Sequence, residues 1–446
     1  MQYNFDEVID RRGTNCCKWD GAEKSGHSPD EISMWVADMD FRCPQPAIDA
    51  LVARAQEGIF GYTQTPESYY TAMCDWFGRR HGFRPREEWV VITPGVCFAL
   101  SMAVRCFTRE SDTVLIQPPV YYPFANTIVQ NGRRVANAPL TCNDDGSYSI
   151  DFDMFERVVR EERPTLFIMS NPHNPVGRAW TEDELRRMGQ ICQEAGVLVV
   201  ADEIHADFDR PGHPHVCYAS LGEEFAQNCV VCTAPSKTFN LAGLQLSNIL
   251  IPNPELRRRF ADEVCATGYD EPSCFGLAAA QACFTQGDEW LDQLKDYLEG
   301  NIALVRDFIA QRIPTLKFTE PESTYLLWVD CRGLGLTDEE LTRFIQHDAR
   351  LWLDMGSIFG KEGEGFIRLN VACPRSVVKE ALARLEAAAI GLSRLPSGTS
   401  CTQSVPHLGD LRVRNMPVQK AHDNDLRQTV RDRPAQGMGR IADGGS

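Results

Sequence analysis

The chain reads VLVVADEIH at residues 197–205 and CVVCTAPSKTFN at residues 229–240, and these two stretches decide the fold. Each begins with a short apolar run rich in β-branched residues, which is typical of a buried parallel strand. Asp202 follows the first run and Lys237 follows the second. Because open α/β sheets bind their ligands at the carboxyl ends of the strands, we expect both side chains to lie at one edge of a sheet.

A carboxylate and an amine at one sheet edge are the groups that pyridoxal 5'-phosphate (PLP) requires. The amine of Lys237 can form a Schiff base with the PLP aldehyde. The carboxylate of Asp202 can keep the pyridine nitrogen protonated, so that the ring accepts electrons. The pair therefore predicts PLP as the cofactor and an enzyme that uses both residues in catalysis.

A third polar group follows an earlier strand-like run. Residues 170–177 read SNPHNPVG, in which two prolines and a glycine fix a loop around Asn174. This loop precedes Asp202 and Lys237 in the order of successive strands. Three polar side chains at three strand ends are hard to explain by packing alone, so we expect Asn174 to belong to the same site.

Composition excludes several classes of function. The chain has 446 residues with a formal net charge of -17, which argues against nucleic acid or an anionic membrane as a partner. The N-terminus lacks the pattern of a signal peptide, and no apolar stretch is long enough to span a bilayer. We interpret the 17 cysteines as reduced thiols of a cytoplasmic protein. Cys229 and Cys232 have no second ligand pair for zinc, and we interpret them as core residues.

The periodicity predicts an α/β fold with two unequal domains. Strand-like runs alternate with helical stretches across residues 47–285, which predicts a large domain with a mainly parallel sheet and helices on both faces. Residues 286–392 predict a smaller α+β domain, joined by the N-terminal segment 1–46. Residues 393–446 are rich in Ser, Gly, Pro, Arg and Gln, which predicts disorder.

The motifs together resemble a known family. The segments NPHNPVG at 171–177, DEIH at 202–205 and SKTFNLAGL at 236–244 resemble those of fold-type I PLP enzymes related to class I and II aminotransferases. With WVADMDF at 35–41, the chain more closely resembles the MalY/PatB-type cystathionine β-lyases, which are C–S lyases. The resemblance covers roughly residues 1–392 by the order of the motifs.

The resemblance implies a cofactor role for each of several residues. Lys237 would hold PLP, Asp202 would pair with its ring nitrogen, and Asn174 would bind the ring oxygen. Tyr121 would stack on the ring. The backbone N–H groups of Gly95 and Val96 and the hydroxyl of Ser236 would bind the phosphate. His205 would tune the ring oxygen. Tyr122 is the alternative to Tyr121 for stacking, and a core histidine is the alternative for His205.

Two further implied residues concern the substrate and the assembly. Arg368 would clamp the substrate carboxylate, although a structural salt bridge is the alternative for an arginine inside a strand-like run. Tyr62 would reach the phosphate of the neighbouring subunit, which implies a homodimer with a shared active site; an ordinary turn is the alternative there.

Two departures from aminotransferases favour the lyase branch. Aminotransferases usually carry Tyr three positions after the aspartate and Arg eight positions after the lysine, where this chain has His205 and Gln245. The resemblance therefore implies β-elimination of L-cystathionine or related cysteine S-conjugates to a thiol, pyruvate and ammonia. A class I/II aminotransferase is the first alternative. A regulatory protein that only binds PLP is the second, and the carboxylate clamp at Arg368 argues against it.

Overall fold

The structure is a computed structural model that describes residues 2–393. The disorder predicted for residues 393–446 lies outside the described residues from 394 onward. The described strands are β1 (Ile32–Ser33), β2 (Val90–Thr93), β3 (Thr113–Ile116), β4 (Arg134–Asn137), β5 (Thr141–Cys142), β6 (Tyr148–Ser149), β7 (Leu166–Ser170), β8 (Leu198–Asp202), β9 (Cys229–Thr233), β10 (Ser247–Leu250), β11 (Lys317–Phe318), β12 (Leu326–Asp330), β13 (Leu351–Trp352), β14 (Asp354–Met355) and β15 (Phe366–Asn370).

The helices surround these strands and include several short turns. The described helices are α1 (Cys17–Asp20), α2 (Gln45–Gln56), α3 (Glu67–His81), α4 (Val96–Phe107), α5 (Pro123–Gln130), α6 (Phe152–Glu162), α7 (Glu182–Glu194), α8 (Glu223–Ala226), α9 (Pro235–Thr238), α10 (Pro254–Ala266), α11 (Cys274–Gln286), α12 (Asp288–Arg312), α13 (Asp338–Arg343) and α14 (Arg375–Ser393). In the described part of the chain, no helix has the length and apolar character needed to cross a membrane.

The large sheet has seven strands in the order β2-β10-β9-β8-β7-β3-β4. Strand β10 is antiparallel to both of its neighbours, and the remaining neighbours are parallel. Alternate residues of β8 pack into two different apolar clusters, Val199 into one and Val200 into the other. Both faces of the sheet are therefore covered, which confirms the predicted mainly parallel sheet between two helical layers.

The same alternation places the two cysteines of the C-x-x-C sequence at residues 229–232 on opposite faces of the sheet. Cys229 and Cys232 are both buried in β9, and they belong to different apolar clusters on the two faces of the sheet. Residues three apart in a strand point to opposite faces, so these thiols cannot share a bond or a metal. Their interpretation as core residues is confirmed.

A smaller antiparallel sheet has the order β11-β12-β15-β14. The N-terminal segment joins this region because β1 pairs in parallel with β13. The predicted smaller α+β domain is therefore confirmed, while the boundaries at residues 46, 285 and 392 stay predictions. Thr324 has a φ of 71°, in the left-handed region, so β12 starts at Leu326.

Candidate active site

A cavity of about 220 Å³ opens at the carboxyl ends of the parallel strands. Strands β7, β8 and β9 end at this edge, and the loops after β2 and β3 close it. The lining residues are Trp35, Val36, Ala37, Pro94, Gly95, Val96, Cys97, Tyr121, Tyr122, Ser170, Asn174, Asp202, Ile204, His205, Ser236, Lys237, Ala242, Gln245, Leu246, Asp354 and Arg368. The structure thus brings together every site residue predicted from the sequence except Tyr62.

Lys237 projects into the cavity from the short helix α9. Its Nζ donates a hydrogen bond to the carbonyl oxygen of Ala37 at 2.7 Å. Burial lowers the pKa of Lys237 below its ordinary value, while the nearby carboxylate of Asp38 opposes that shift. An amine with a lowered pKa is more easily unprotonated, which suits both attack on an aldehyde and acceptance of a proton.

Asp202 is the last residue of β8 and is buried. Its Oδ1 accepts a hydrogen bond from the backbone N–H of Ile204 at 3.1 Å. Its Oδ2 has no hydrogen-bond partner among the described residues. Burial raises the pKa of Asp202 to about 7, against the opposing effects of the Ile204 N–H and of Lys237. The carboxylate therefore lacks a cation close enough to offset its desolvation.

Asn174 connects the large sheet with the substrate side of the cavity. Its backbone N–H donates to the hydroxyl of Ser170 at 3.2 Å, and its carbonyl accepts from the N–H of Tyr121 at 3.0 Å. Its side-chain Oδ1 accepts from Nη1 of Arg368 at 2.9 Å. The remaining amide nitrogen, Nδ2, has no partner in the described part of the chain, so it is available as a donor to a ligand.

Arg368 lies in β15 and is only 2% exposed. Its Nη2 donates to the carbonyl oxygen of Trp35 at 2.7 Å and also to the carboxylate of Asp354. Its Nε is buried and has no partner among the described residues. The salt bridge that was the alternative for Arg368 therefore exists, and the same side chain also lines the cavity.

The opposite end of the cavity presents backbone N–H groups. Gly95 precedes helix α4, whose first-turn N–H groups have no intrahelical acceptor and carry the positive end of the helix dipole. Gly95, Val96 and Ser236 all line the cavity here, and Gln245 lies among them. This end can bind a phosphate through N–H groups and a hydroxyl, without an arginine from the same loop.

Tyr121 and Tyr122 are the two candidates for stacking on the cofactor ring. Tyr121 and Tyr122 both line the cavity, with ring centroids 5.5 Å apart, so the choice between them for stacking stays a prediction.

The pKa of His205 is lowered to about 3, mainly by burial and to a smaller extent by the positive charges of Lys237 and Arg368. His205 is therefore a neutral imidazole whose buried Nδ1 has no partner in the described region.

Tyr62 lies outside the cavity of its own chain. It is 96% exposed in the loop between α2 and α3, where Ile59 and Phe60 are also exposed. An exposed apolar stretch of this kind is typical of a surface that contacts another protein. Its predicted role in a neighbouring subunit stays a prediction.

Sequence reasoning missed Asp354, Cys97 and the cavity wall formed by Trp35 and Ala37. The sequence did contain a signal for Asp354, because it stands alone as a charge within LWLDM at residues 351–355. A buried charge in an apolar run requires a partner. The 35–41 segment contributes Trp35, Val36 and Ala37 to the cavity wall, while its Asp38 pairs with Arg11 outside the cavity.

The polar groups of the cavity fit PLP. Asp202 Oδ2 is a free acceptor for a protonated ring nitrogen, Asn174 Nδ2 is a free donor for the ring oxygen, and Lys237 Nζ is an available amine. The N-terminus of α4 supplies donors for the phosphate. Each polar group of the cofactor thus has a counterpart of suitable chemistry in the cavity.

Comparisons with known proteins agree with this geometry. The model of the family described as "Aminotransferase class I and II" matches residues 30–385. The chain is 42% identical over 385 residues to cystathionine beta-lyase PatB of Bacillus subtilis (strain 168), across 86% of this chain and 99% of PatB. It is 31% identical to protein MalY of Escherichia coli (strain K12), across 86% of this chain and 98% of MalY.

Solved structures extend the comparison to the fold. The crystal structure of cystalysin from Treponema denticola, which contains a pyridoxal 5'-phosphate cofactor, superposes with a TM-score of 0.85. It is 36% identical and covers 88% of this chain and 100% of cystalysin. This match confirms the predicted fold class.

Proposed function

This chain belongs to the aminotransferase class I and II family, and within that family we propose that it is a PLP-dependent carbon–sulfur β-lyase. Its substrates are L-cystathionine or related cysteine S-conjugates, and its products are a thiol, pyruvate and ammonia. The observation that carries the proposal is one cavity that holds Lys237, Asp202, Asn174 and Arg368 together. The names of PatB and of its relatives support the choice of the C–S bond.

Besides Lys237, four groups of this chain would hold the cofactor. The N-terminus of α4 and the hydroxyl of Ser236 would bind the phosphate, and Asn174 Nδ2 would donate to the ring oxygen. The Asp202 carboxylate would pair with the protonated ring nitrogen, and that positive charge would offset the desolvation that raises the pKa of Asp202. When bound, PLP supplies an electron sink for negative charge at the α-carbon of the substrate.

The protein residues then position the substrate and move its proton. Arg368 binds the α-carboxylate, which fixes the α-carbon relative to Lys237. Nζ of Lys237, with its lowered pKa, accepts the α-proton as general base. The Cβ–S bond breaks and the thiol leaves, and the remaining three-carbon fragment takes up water to give pyruvate and ammonia. His205 stays neutral and adds no third positive charge beside Lys237 and Arg368.

The direct test is an assay of PLP-loaded protein with L-cystathionine and no keto acid. We expect equal amounts of pyruvate and free thiol over many turnovers. If neither product forms, and amino groups are transferred from a panel of amino acids once 2-oxoglutarate is added, the protein is an aminotransferase and the proposal is wrong. If both assays are negative, a regulatory role for bound PLP replaces it.

Replacing Arg368 with lysine is expected to raise the KM for L-cystathionine roughly 100-fold, with a smaller change in kcat. Lysine keeps the charge opposite Asp354 but loses the planar fork that holds a carboxylate at two points. Steady-state kinetics measure the effect. Arg332→Lys is the matched control, because Arg332 forms a similar pair with Asp330 outside the cavity. Equal KM values for the two variants would make Arg368 structural.

The proposed assembly is a homodimer in which Tyr62 completes the phosphate site of the partner. This chain has Gln245 in the cavity, so a donor from a second subunit would strengthen phosphate binding. We expect Tyr62→Phe to weaken PLP binding about tenfold, through loss of one hydrogen bond to a charged group. Fluorescence titration of cofactor-free protein measures this affinity.

Mixed dimers of Tyr62→Phe and Lys237→Ala chains separate a shared site from a local role. If Tyr62 acts on the partner, one site of the mixed dimer carries both defects and the other carries none. That intact site would bind PLP with wild-type affinity. If Tyr62 acted within its own chain, both sites would remain defective, and the shared-site proposal would fail.

We also propose that the protein is cytoplasmic. The 16 described cysteines are all free thiols, and residues such as Cys74 and Cys192 are buried in the core. A reducing compartment keeps such thiols unpaired. Fractionation of the source cells tests this location.

A further inference from the structure

The hydrogen-bonding groups of Arg368 are largely committed within the protein itself. A guanidinium has two faces that can hold a carboxylate at two points, Nη1 with Nη2 and Nε with Nη2, and both include Nη2. In this structure Nη2 donates to the Trp35 carbonyl at 2.7 Å and to the Asp354 carboxylate. Both hydrogens of Nη2 are therefore engaged, and neither face is fully free for a substrate.

One of the two partners of Nη2, Asp354, is itself a carboxylate. Asp354 in β14 lies directly opposite Arg368 in the β14–β15 ladder, so the pairing is built into the strand register. Asp354 is 7% exposed and lines the same cavity as Arg368. Its second oxygen, Oδ1, has no partner in the described part of the chain. Asp354 thus stands where the carboxylate of a ligand would bind.

We propose that Asp354 acts as an internal competitor for the carboxylate clamp, so that a ligand must displace it from Arg368 Nη2 to bind at two points. The displacement lowers the affinity for every carboxylate. An α-amino acid would offset that cost because its amine would also bond to the cofactor in place of Lys237. A carboxylate without an amine cannot do so, and the pyruvate formed in the proposed reaction is one of these. Asp354 therefore selects amino acids and favours product release.

Two observations argue that Asp354 competes with ligands rather than serving mainly to orient Arg368. The guanidinium remains held by Asn174 Oδ1 on Nη1 and by the Trp35 carbonyl on Nη2, so its orientation does not depend on Asp354. Burial also raises the pKa of Asp354 to about 6 even beside Arg368. The ionised carboxylate is thus poorly compensated for its desolvation, which makes it a partner that another carboxylate can displace.

The test measures binding of 3-(methylthio)propanoate to PLP-loaded protein by calorimetry. This probe is S-methylcysteine without its amine, so it reports on the clamp and cannot react. We expect Asp354→Asn to bind the probe about tenfold more tightly than wild type, because a like charge next to the bound carboxylate is removed. Asp330→Asn is the matched control, since Asp330 is a buried acid paired with Arg332 outside the cavity.

A purely structural role for Asp354 would give the opposite result. If Asp354 mainly orients Arg368, the asparagine variant binds the probe more weakly; if the two are uncoupled, its affinity equals that of wild type. Either result overturns the inference. Should the asparagine variant fail to fold, Asp354→Ser tests the same loss of charge with a smaller side chain.

The inference rests on the proposed function for the identity of the carboxylate, but its test needs no turnover. Tighter binding of the probe in Asp354→Asn, together with an inactive wild type in the cystathionine assay, would support the competitor role of Asp354 and contradict the proposed lyase activity. Weaker binding of the probe in Asp354→Asn, together with an active wild type, would support the lyase activity and contradict the competitor role of Asp354. The two failures are therefore distinguishable.

Discussion

Lys237→Ala is expected to abolish covalent attachment of PLP and to lower turnover of L-cystathionine by roughly 10⁴-fold or more. Lys237 is the one lysine among the residues that line the described cavity. It supplies both the amine that binds the cofactor and the base that accepts the α-proton. Because one atom, Nζ, performs both tasks, no neighbouring side chain can replace it.

Two measurements separate these tasks. Borohydride reduction followed by peptide mass spectrometry should find PLP on the wild-type peptide that contains Lys237, and no PLP on the variant. Added methylamine should restore a small part of the variant's turnover, since a free amine can accept the α-proton in the vacated space. The control is Lys295→Ala, which removes a lysine paired with Asp209 outside the cavity. Cofactor attached to the variant at another lysine would contradict the assignment.

The positions of Lys237, Asp202 and Asn174 could be predicted from the sequence because the signals are local. Each residue follows a short apolar run, and the runs form β9, β8 and β7, which are adjacent and parallel. The carboxyl ends of parallel neighbours lie at one edge, so the order of the strands already brings the side chains together.

The pairing of Arg368 with Asp354 could not be predicted in this way. It depends on the register between β14 and β15, and nothing in either short strand specifies which residues lie opposite each other. The hydrogen bond between Arg368 and Trp35 could not be predicted either, because the Trp35 carbonyl comes from the N-terminal segment, which is distant in sequence. Arg368 was a candidate only through the resemblance, which implied its role but not the acid beside it.

The role of Tyr62 could not be established from the sequence for a different reason. Its predicted partner is the phosphate site of a second chain, and no pattern within one chain specifies how two copies meet. The exposed loop that carries it is consistent with a contact surface, and within the single chain Tyr62 does not line the cavity. A mixed-dimer measurement addresses that relation directly.

Asp202→Asn is expected to lower turnover roughly 10³-fold, with the fold unchanged. Asparagine has nearly the same shape as aspartate but cannot pair as an anion with a protonated ring nitrogen, so the electron sink is weakened. Cofactor retention should also fall, because a charge-assisted hydrogen bond is lost. Steady-state kinetics and a PLP titration measure the two effects. A variant with wild-type turnover would show that Asp202 does not set the charge of the ring.

The same substitution should stabilise the cofactor-free protein. Burial raises the pKa of Asp202 from an ordinary 3.8 to about 7, so between these values the folded chain holds a proton that the unfolded chain releases. The contribution of Asp202 to the free energy of unfolding therefore falls as the pH rises from 4 to 7. Asparagine does not titrate, and at pH 8 we expect cofactor-free Asp202→Asn to be more stable by on the order of 4 kcal/mol.

Denaturant unfolding at pH 4 and pH 8, with and without PLP, tests this reversal. The gain should be near zero at pH 4, where Asp202 is protonated in the folded protein, and full at pH 8. Loaded with PLP, the wild type should be the more stable of the two, because the protonated ring nitrogen then pairs with the carboxylate. A cofactor-free variant less stable than wild type at pH 8 would mean that Asp202 is not desolvated. The expected pattern would mean that the chain keeps an unfavourable buried charge at Asp202 because the cofactor's own charge compensates it.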